Sequence, residues 1–92
     1  MKVRYTTPAL GDLRSILDYV AEHSPQGAKR VQARVQSIID LLAVHPYIGI
    51  HTDDPTIRRV TTLPYPYLVF YEVEETEIVI HARNPSDMPG AS

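Results

Sequence analysis

The chain has 92 residues, of which 43% are hydrophobic and 22% are charged, and its formal net charge is -2. This composition is typical of a single globular domain and excludes a disordered chain. The absence of cysteine excludes disulfides, thiol catalysis and cysteine-ligated metal centres, and the slightly acidic balance argues against a protein that binds nucleic-acid phosphates.

A short strand and two helices are predicted for the first half of the chain. Residues 2–6 alternate polar and apolar side chains, as a half-buried strand does. Thr7 is expected to cap a first helix with Pro8 in its first turn, and Ser24 and Pro25 repeat this arrangement for a second helix. Each helix carries one apolar stripe, and the short link between the helices predicts an antiparallel helical hairpin.

The second half of the chain has the pattern of a loop followed by three strands. Residues 46–56 contain two prolines, a glycine and two aspartates, which is typical of a loop. Strands are predicted over residues 57–63, 67–73 and 77–82, with a turn at 74–76. Pro64 and Pro66 separate the first two strands and exclude a central strand position there, because proline cannot donate a ladder hydrogen bond.

These elements predict an α+β fold with the order β-α-α-β-β-β. The helical hairpin is expected to pack on one face of a mainly antiparallel sheet. Residues 1–85 are expected to form one domain, and residues 86–92 a flexible tail. No apolar run is long enough to span a membrane and residues 1–5 do not resemble a secretory signal, so we expect a cytoplasmic protein.

Charge is distributed unevenly between the two halves. Residues 1–51 contain six basic and four acidic residues, whereas residues 52–92 contain three basic and seven acidic residues. The first half therefore carries +2 and the second half −4. The half that builds most of the sheet is thus the acidic one, which makes it a poor surface for an anionic substrate.

Several segments carry a resemblance to a known family. They are residues 9–21, Ser24-Pro25, residues 28–30, the His45-Pro46-Tyr47-Ile48-Gly49 turn, Arg58-Arg59, residues 66–71, and the closing motif at 81–85. In this order and spacing they resemble the ParE branch of the RelE/ParE toxin superfamily, over residues 3–85. The chain departs from the family pattern twice. Ile50 stands where an arginine usually follows the loop glycine, and only Ala82 separates His81 from Arg83, where two residues are usual.

The resemblance implies the toxin half of a type II toxin–antitoxin pair. Members of the ParE branch are associated with poisoning DNA gyrase, and members of the RelE branch with cutting mRNA on the ribosome. Both are held inactive by an antitoxin whose C-terminal segment wraps the toxin. We therefore expect a ParE-like toxin directed at DNA gyrase and neutralised by a cognate antitoxin. The alternatives are a ribosome-dependent mRNA endonuclease and a degenerate member that only binds its antitoxin.

The nuclease alternative would depend on His81, Arg83 and Arg59. His81 and Arg83 lie two residues apart on a predicted strand and so share a face, which Arg59 of the neighbouring strand could join. A histidine can move a proton, and an arginine can hold the scissile phosphate. The competing interpretation is a solvated face on which Arg83 pairs with a glutamate. The acidic sheet half favours the ParE branch, for which no catalytic residue is expected.

The antitoxin is expected to contact the helical hairpin. Its predicted apolar contacts line a groove beside the sheet and are Leu13, Leu17, Val35 and Leu42. Arg30 and Arg34 are also predicted contacts that would pair with acidic antitoxin residues, and the simpler interpretation of these two arginines is a solvated helix face. Tyr67 and Tyr71 are predicted to pack in the core or against a partner. No cofactor is expected, and no metal, because His45, His51, Asp53 and Asp54 lack the spacing of known metal motifs.

Overall fold

Two helices cover one face of a five-stranded sheet in the computed structural model, which describes residues 1–82. The elements follow the order β1 (Lys2–Tyr5), α1 (Thr7–His23), α2 (Pro25–Val44), β2 (Ile50–His51), β3 (Ile57–Thr62), β4 (Tyr65–Val73) and β5 (Glu77–His81). The predicted α+β fold is confirmed. Arg83 and the predicted tail at 86–92 lie outside the described residues.

Ser24 alone connects the two helices. Its N–H donates to the carbonyl of Val20 at 2.8 Å, which ends α1, and its hydroxyl accepts from the N–H of Gly27 at 2.9 Å, which caps α2. One residue thus satisfies backbone groups at the ends of both helices. The predicted Ser24 cap and the helical hairpin are confirmed.

The cap of α1 lies one residue earlier than predicted. Thr6, not Thr7, takes the extended cap conformation, and its hydroxyl oxygen accepts from the N–H of Ala9 at 3.2 Å. The same hydroxyl donates to the carbonyl of Ile80 at 3.0 Å. Thr6 therefore joins the start of α1 to β5. Local sequence patterns cannot predict this contact, because Thr6 and Ile80 are far apart in the sequence.

The sheet has the strand order β1-β5-β4-β3-β2. β1 runs parallel to β5, with Val3 opposite Ile78 and Tyr5 opposite Ile80, and the other neighbours are antiparallel. This confirms a mainly antiparallel sheet. The helical hairpin carries the chain from β1 at one edge of the sheet to β2 at the other edge, and the antiparallel strands β2 to β5 then return it so that β5 lies beside β1.

Two details of the sheet differ from the prediction. Within the predicted loop, Ile50–His51 forms β2, which pairs with β3. β4 begins at Tyr65 and so contains Pro66, which was expected to lie outside it. β5 pairs with β4 only from Phe70 to Val73, so Pro66 lies where β4 has β3 as its one neighbour. A proline is accommodated there because no second ladder needs its N–H.

The core lies between the helices and the sheet. Most of the core side chains that come from a helix belong to α2, and β4 and β5 supply the side chains that face them. These residues are Val31, Val35, Ile38, Ile39 and Leu42 from α2, with Val69, Tyr71, Ile78 and Ile80 from the sheet. From α1 only Ala9 is buried, and Leu13, Ile16 and Leu17 are partly buried. Helix α1 therefore leaves part of its apolar stripe accessible. Within residues 1–82, neither helix is long and apolar enough to cross a membrane.

Replacing Ser24 tests the double cap. Ser24→Ala removes the oxygen that accepts from Gly27, and we expect the free energy of unfolding in urea to fall by about 1 kcal/mol. Ser24→Asn, which keeps an acceptor, should recover most of that loss. Ser37→Ala, at an exposed position inside α2, is the matched control and should change stability by less than about 0.5 kcal/mol. Equal stability of Ser24→Ala and Ser37→Ala would contradict a capping role.

Candidate functional site

The loop between α2 and β2 is held by a buried tyrosine. The Tyr71 hydroxyl donates to the carbonyl of Pro46 at 2.8 Å and accepts from the N–H of Gly49 at 2.8 Å. The side chain of Tyr71 is fully buried. Burial raises the pKa of Tyr71, opposed by the Gly49 hydrogen bond and the charge of Arg58, so the hydroxyl keeps its proton and remains a donor at neutral pH.

Arg58 holds the same loop from β3. Its Nη1 donates to the carbonyls of Gly49 at 2.8 Å and Tyr47 at 3.1 Å. The guanidinium carbon lies 5.1 Å from the centre of the Tyr47 ring, within the range of a cation–π contact. The first arginine of the Arg58-Arg59 pair is therefore occupied in fixing the loop and the Tyr47 ring.

Gly49 is required by the close approach of Tyr71. A Cβ placed on Gly49 would lie 2.7 Å from Cε1 and 2.9 Å from Cζ of the Tyr71 ring, and closer still to its hydroxyl oxygen. The φ angle of Gly49 is not positive, so space rather than conformation demands the glycine. We call Tyr71, Arg58 and Gly49 the loop clamp.

Several apolar side chains in and beside the clamped loop are exposed to solvent. Val44 is 70% exposed, Tyr47 65%, Ile48 48% and Ile50 64%. Beside them is a cavity of about 370 Å³, which we call the edge pocket, lined by Ile38, Ile48, Ile50, Arg59, Val60 and Thr61. An ordered apolar surface next to a pocket is typical of a binding site for another chain.

The second cavity lies between the helices and the sheet. This helix groove has a volume of about 330 Å³, and its walls are mainly apolar side chains of α1, α2 and β4, among them Leu13, Ile16, Val31, Val35 and Tyr67. Two of the residues predicted to bind an antitoxin, Leu13 and Val35, therefore line one groove. Leu17 is partly buried against the core.

The remaining residues predicted to bind an antitoxin are placed differently. Leu42 is fully buried in the core, so its side chain offers no surface to a partner, and including it in the binding surface was wrong. Arg30 is exposed, and Arg34 donates from Nε to the carbonyl of Leu63 at 2.7 Å. Arg34 thereby joins α2 to the β3–β4 connection beside the helix groove.

Two residues of the nuclease alternative, Arg59 and His81, share one face of the sheet. Arg59 lies opposite Phe70, and Phe70 lies opposite His81, so the three form one row across β3, β4 and β5. Ile78 and Ile80 pack in the core, which confirms that His81 lies on the far face, away from the helices. Two strand spacings separate Arg59 from His81, roughly 10 Å between their backbones. Arg83 lies outside the described residues.

A carboxylate contacts His81. The Nε2 of His81 lies 3.3 Å from Oε1 of Glu72. Two hydrogen bonds from Thr56 are the main causes that lower the pKa of Asp54, and the charge of His81 contributes a smaller part. Within residues 1–82 the ion pairs are this one and Arg4 with Glu77. A phosphate approaching His81 would therefore meet negative charge as well as Arg59.

The loop clamp and β2 were not predicted from the sequence. Tyr71 was expected to be packed, which its burial confirms, but the role of its hydroxyl was missed. One signal was available: a tyrosine within an apolar strand needs a hydrogen-bond partner for its hydroxyl. Within residues 1–82, no three His, Asp or Glu side chains converge as a metal site would require.

Comparisons with known proteins identify the family to which the chain is similar. The model of the family described as the ParE toxin of type II toxin–antitoxin system, parDE, matches residues 3–83. Toxin RelE2 of Caulobacter vibrioides is 35% identical over 74 residues, which cover 80% of this chain and 82% of that protein. Putative toxin Y4kP of Sinorhizobium fredii is 32% identical over 85 residues, which cover 89% of this chain and 88% of that protein.

A double-mutant cycle tests the loop clamp. Gly49→Ala should lower the free energy of unfolding by about 2 kcal/mol, because the new methyl group collides with Tyr71. Tyr71→Phe should cost a similar amount, about 1–3 kcal/mol, by leaving the buried N–H of Gly49 and the part-buried carbonyl of Pro46 without their partner. In the double variant the closest collision, with the hydroxyl oxygen, is absent. The loss of unfolding free energy in the double variant should therefore be smaller than the sum of the two single losses by about 1 kcal/mol. Strict additivity in urea unfolding would contradict the clamp.

Proposed function

We propose a function from one premise: this chain belongs to the ParE toxin family of type II toxin–antitoxin systems. It is a toxin of such a system, and the family implies an antitoxin as its partner. Our proposal is that the toxin poisons DNA gyrase by binding it and that the cognate antitoxin neutralises the toxin by occupying the helix groove.

The observation that carries the proposal is the match to the ParE family over residues 3–83, which span both helices and all strands of the sheet. The charges on the face of the sheet away from the helices also support the proposal. His81 lies next to Glu72 and near Asp54, and no lysine follows Lys29 in the chain. An enzyme that grips mRNA needs several cations around the cleavage point. A toxin that binds a protein target needs no such cluster.

The helix groove supports the proposed site of neutralisation. Helix α1 leaves part of its apolar stripe uncovered, and a partner helix inserted beside Leu13 and Val35 would bury it. Arg30 and Arg34 lie one turn apart on α2, where they could pair with carboxylates of that helix. A segment that folds as it binds suits such a groove, because it can wrap a large surface.

A ribosome-dependent mRNA endonuclease is the second candidate. It is favoured by the similarity to a protein named toxin RelE2 and by the row that places Arg59 and His81 on one face. In that mechanism His81 would transfer a proton at the reacting oxygen and Arg59 would hold the phosphate. The two candidates make opposite predictions for substitutions of these residues.

Induced expression of single variants separates the candidates. If gyrase is the target, His81→Ala and Arg59→Ala should arrest growth to the same degree as the unmodified chain, with filamentation and induction of the DNA-damage response. If the chain is a nuclease, both variants should lose toxicity, and the unmodified chain should cut mRNA at the ribosomal A site. A chain that causes no growth defect at all would be the degenerate member.

Charge reversal tests the antitoxin site. Arg30→Glu should weaken binding of the cognate antitoxin by about tenfold, because it places a carboxylate next to Val31 of the groove wall, where the partner's acidic residues are expected. Arg14→Glu, at an exposed position of α1, is the matched control and should change the dissociation constant by less than about twofold. Equal effects of the two substitutions in a calorimetric titration would contradict docking along α2.

A further inference from the structure

Exposed apolar side chains are concentrated where α2 ends. Within residues 1–82, ten large apolar side chains are exposed, and five of them lie between Leu41 and Ile50. Two of these five, Ile48 and Ile50, line the edge pocket. The other three line neither the edge pocket nor the helix groove, and we call them the apolar ridge: Leu41, which is 43% exposed, Val44, which is 70% exposed, and Tyr47, which is 65% exposed.

The members of the apolar ridge lie close together along the chain. Leu41 and Val44 are one turn apart on α2, and Tyr47 stands in the turn that follows the helix. Each member is separated from the next by three residues, which span at most about 11 Å. Three apolar side chains at this spacing can enter a single cleft of a partner protein.

The loop clamp fixes the orientation of the Tyr47 ring. Arg58 donates to the carbonyl of Tyr47 at 3.1 Å, and its guanidinium carbon lies 5.1 Å from the ring centre. Tyr71 holds the flanking residues Pro46 and Gly49. A side chain that is fixed before binding loses little conformational entropy when it binds. The pair of an exposed tyrosine and an arginine has the composition of a binding hot spot, in which both residue types are enriched.

The apolar ridge is uncharged, and a positive charge lies against it. Residues 41–52 contain no lysine, arginine, aspartate or glutamate. Arg58 packs on the Tyr47 ring and has no carboxylate within 4.0 Å among residues 1–82. The carboxylate of Asp40, just before the ridge, accepts from the side chain of Gln36 at 2.9 Å, one turn back along α2. A partner with an apolar cleft and carboxylates at its rim would therefore complement this surface.

Area and charge both disfavour a second copy of this chain as the partner. A tyrosine offers at most about 250 Å² of surface, so three partly exposed side chains present less than the roughly 800 Å² that each partner of a stable complex buries. Joining two ridges would also bring Arg58 of one copy close to Arg58 of the other. The ridge instead fits a larger partner, which would take up these side chains and surround them with further contacts.

The apolar ridge is separate from the surface proposed for the antitoxin. Helix α2 contributes Val31, Val35 and Ile39 to the helix groove. Val44 lies about 20 Å beyond Val31 along the helix axis, at a rise of roughly 1.5 Å per residue. Because the two surfaces share no residue, substitutions can change them one at a time. A bulky target bound at the ridge would still collide with a segment in the groove, so separate surfaces are compatible with neutralisation.

We propose that the apolar ridge is the surface by which this toxin contacts its target protein, with Val44 and Tyr47 inserted in an apolar cleft whose rim carries carboxylates opposite Arg58. The identity of the target as DNA gyrase rests on the proposed function. The chemistry of the contact rests on the exposure of the ridge, the loop clamp that holds Tyr47 and the charge of Arg58.

Two substitutions disrupt the ridge, and two controls leave it intact. Tyr47→Ala deletes the ring, and Val44→Gln replaces an apolar side chain by a polar one with good helix propensity. Tyr47→Phe keeps the ring. Tyr19→Ala removes a tyrosine of α1 that is 66% exposed, as Tyr47 is 65% exposed. The four variants should fold like the unmodified chain, because the changed side chains lie at the surface.

Binding of purified DNA gyrase and of the cognate antitoxin is measured for each variant. Tyr47→Ala and Val44→Gln should each weaken gyrase binding by at least about tenfold and should lose growth arrest on induced expression. Tyr47→Phe and Tyr19→Ala should change gyrase binding by less than about twofold and should keep growth arrest. The dissociation constant of the antitoxin should change by less than about twofold in all four variants.

A photoreactive phenylalanine derivative in place of Tyr47 tests the chemistry of the cleft. Irradiation of this variant with purified gyrase should give a cross-link, and the same derivative in place of Tyr19 should give none. The gyrase peptide recovered from the cross-link should carry aspartate or glutamate beside apolar residues. A peptide rich in lysine or arginine would contradict the proposed rim.

The outcomes separate this proposal from the proposed function. If the unmodified chain binds gyrase and both ridge variants bind it equally well, the ridge is not the contact and the proposed function stands. If the unmodified chain does not bind gyrase, the proposed function is wrong, and growth arrest decides about the ridge. Loss of arrest in both ridge variants with unchanged antitoxin binding then supports a target contact, and unchanged arrest overturns it. A chain that arrests no growth has no target and overturns it as well.

Three further results would assign the ridge to a different occupant and overturn the proposal. Equal weakening of antitoxin and gyrase binding by the ridge variants would make the antitoxin the occupant. Binding of DNA alone that Tyr47→Ala abolishes would make DNA the occupant. A dimer in sedimentation that Val44→Gln dissociates would make it a second copy of this chain.

Discussion

The hydroxyl of Tyr71 is the polar group on which the described surface depends. A fully buried hydroxyl must find partners, and here they are a donor and an acceptor of the same loop, Gly49 and Pro46. These contacts hold the loop that precedes β2 against Tyr71, so β2 pairs with β3 at only two residues. The short β2 and the exposed isoleucines beside it follow from this constraint.

The helical side of the molecule follows from a different limit. Helix α2 buries a complete apolar stripe, whereas α1 buries only Ala9 fully and leaves Leu13, Ile16 and Leu17 partly accessible. A chain of 92 residues has a small core, so apolar surface that its own sheet cannot cover remains for another chain. An antitoxin bound to the toxin would cover this accessible apolar surface of α1.

Local patterns predicted most of the fold but little of the loop. Rules that act over a few residues predict the Ser24 cap, the apolar stripes of the helices and the position of His81 on the face of the sheet opposite to that of Ile80. The missed features depend on contacts between distant residues: Gly49 meets Tyr71, and Arg58 meets Tyr47. A two-residue strand such as β2 has no periodicity to detect. Leu42 looked like a partner contact because a stripe shows which face is apolar and not how deeply each residue is buried.

The most direct test of the account is an assay of the purified toxin with purified DNA gyrase, in the absence of ribosomes. Poisoning of gyrase predicts loss of supercoiling and accumulation of gyrase-cleaved DNA, both reversed by the cognate antitoxin. Unimpaired supercoiling by gyrase, together with mRNA cleavage when ribosomes are supplied, would contradict it and assign the far face of the sheet to RNA cleavage.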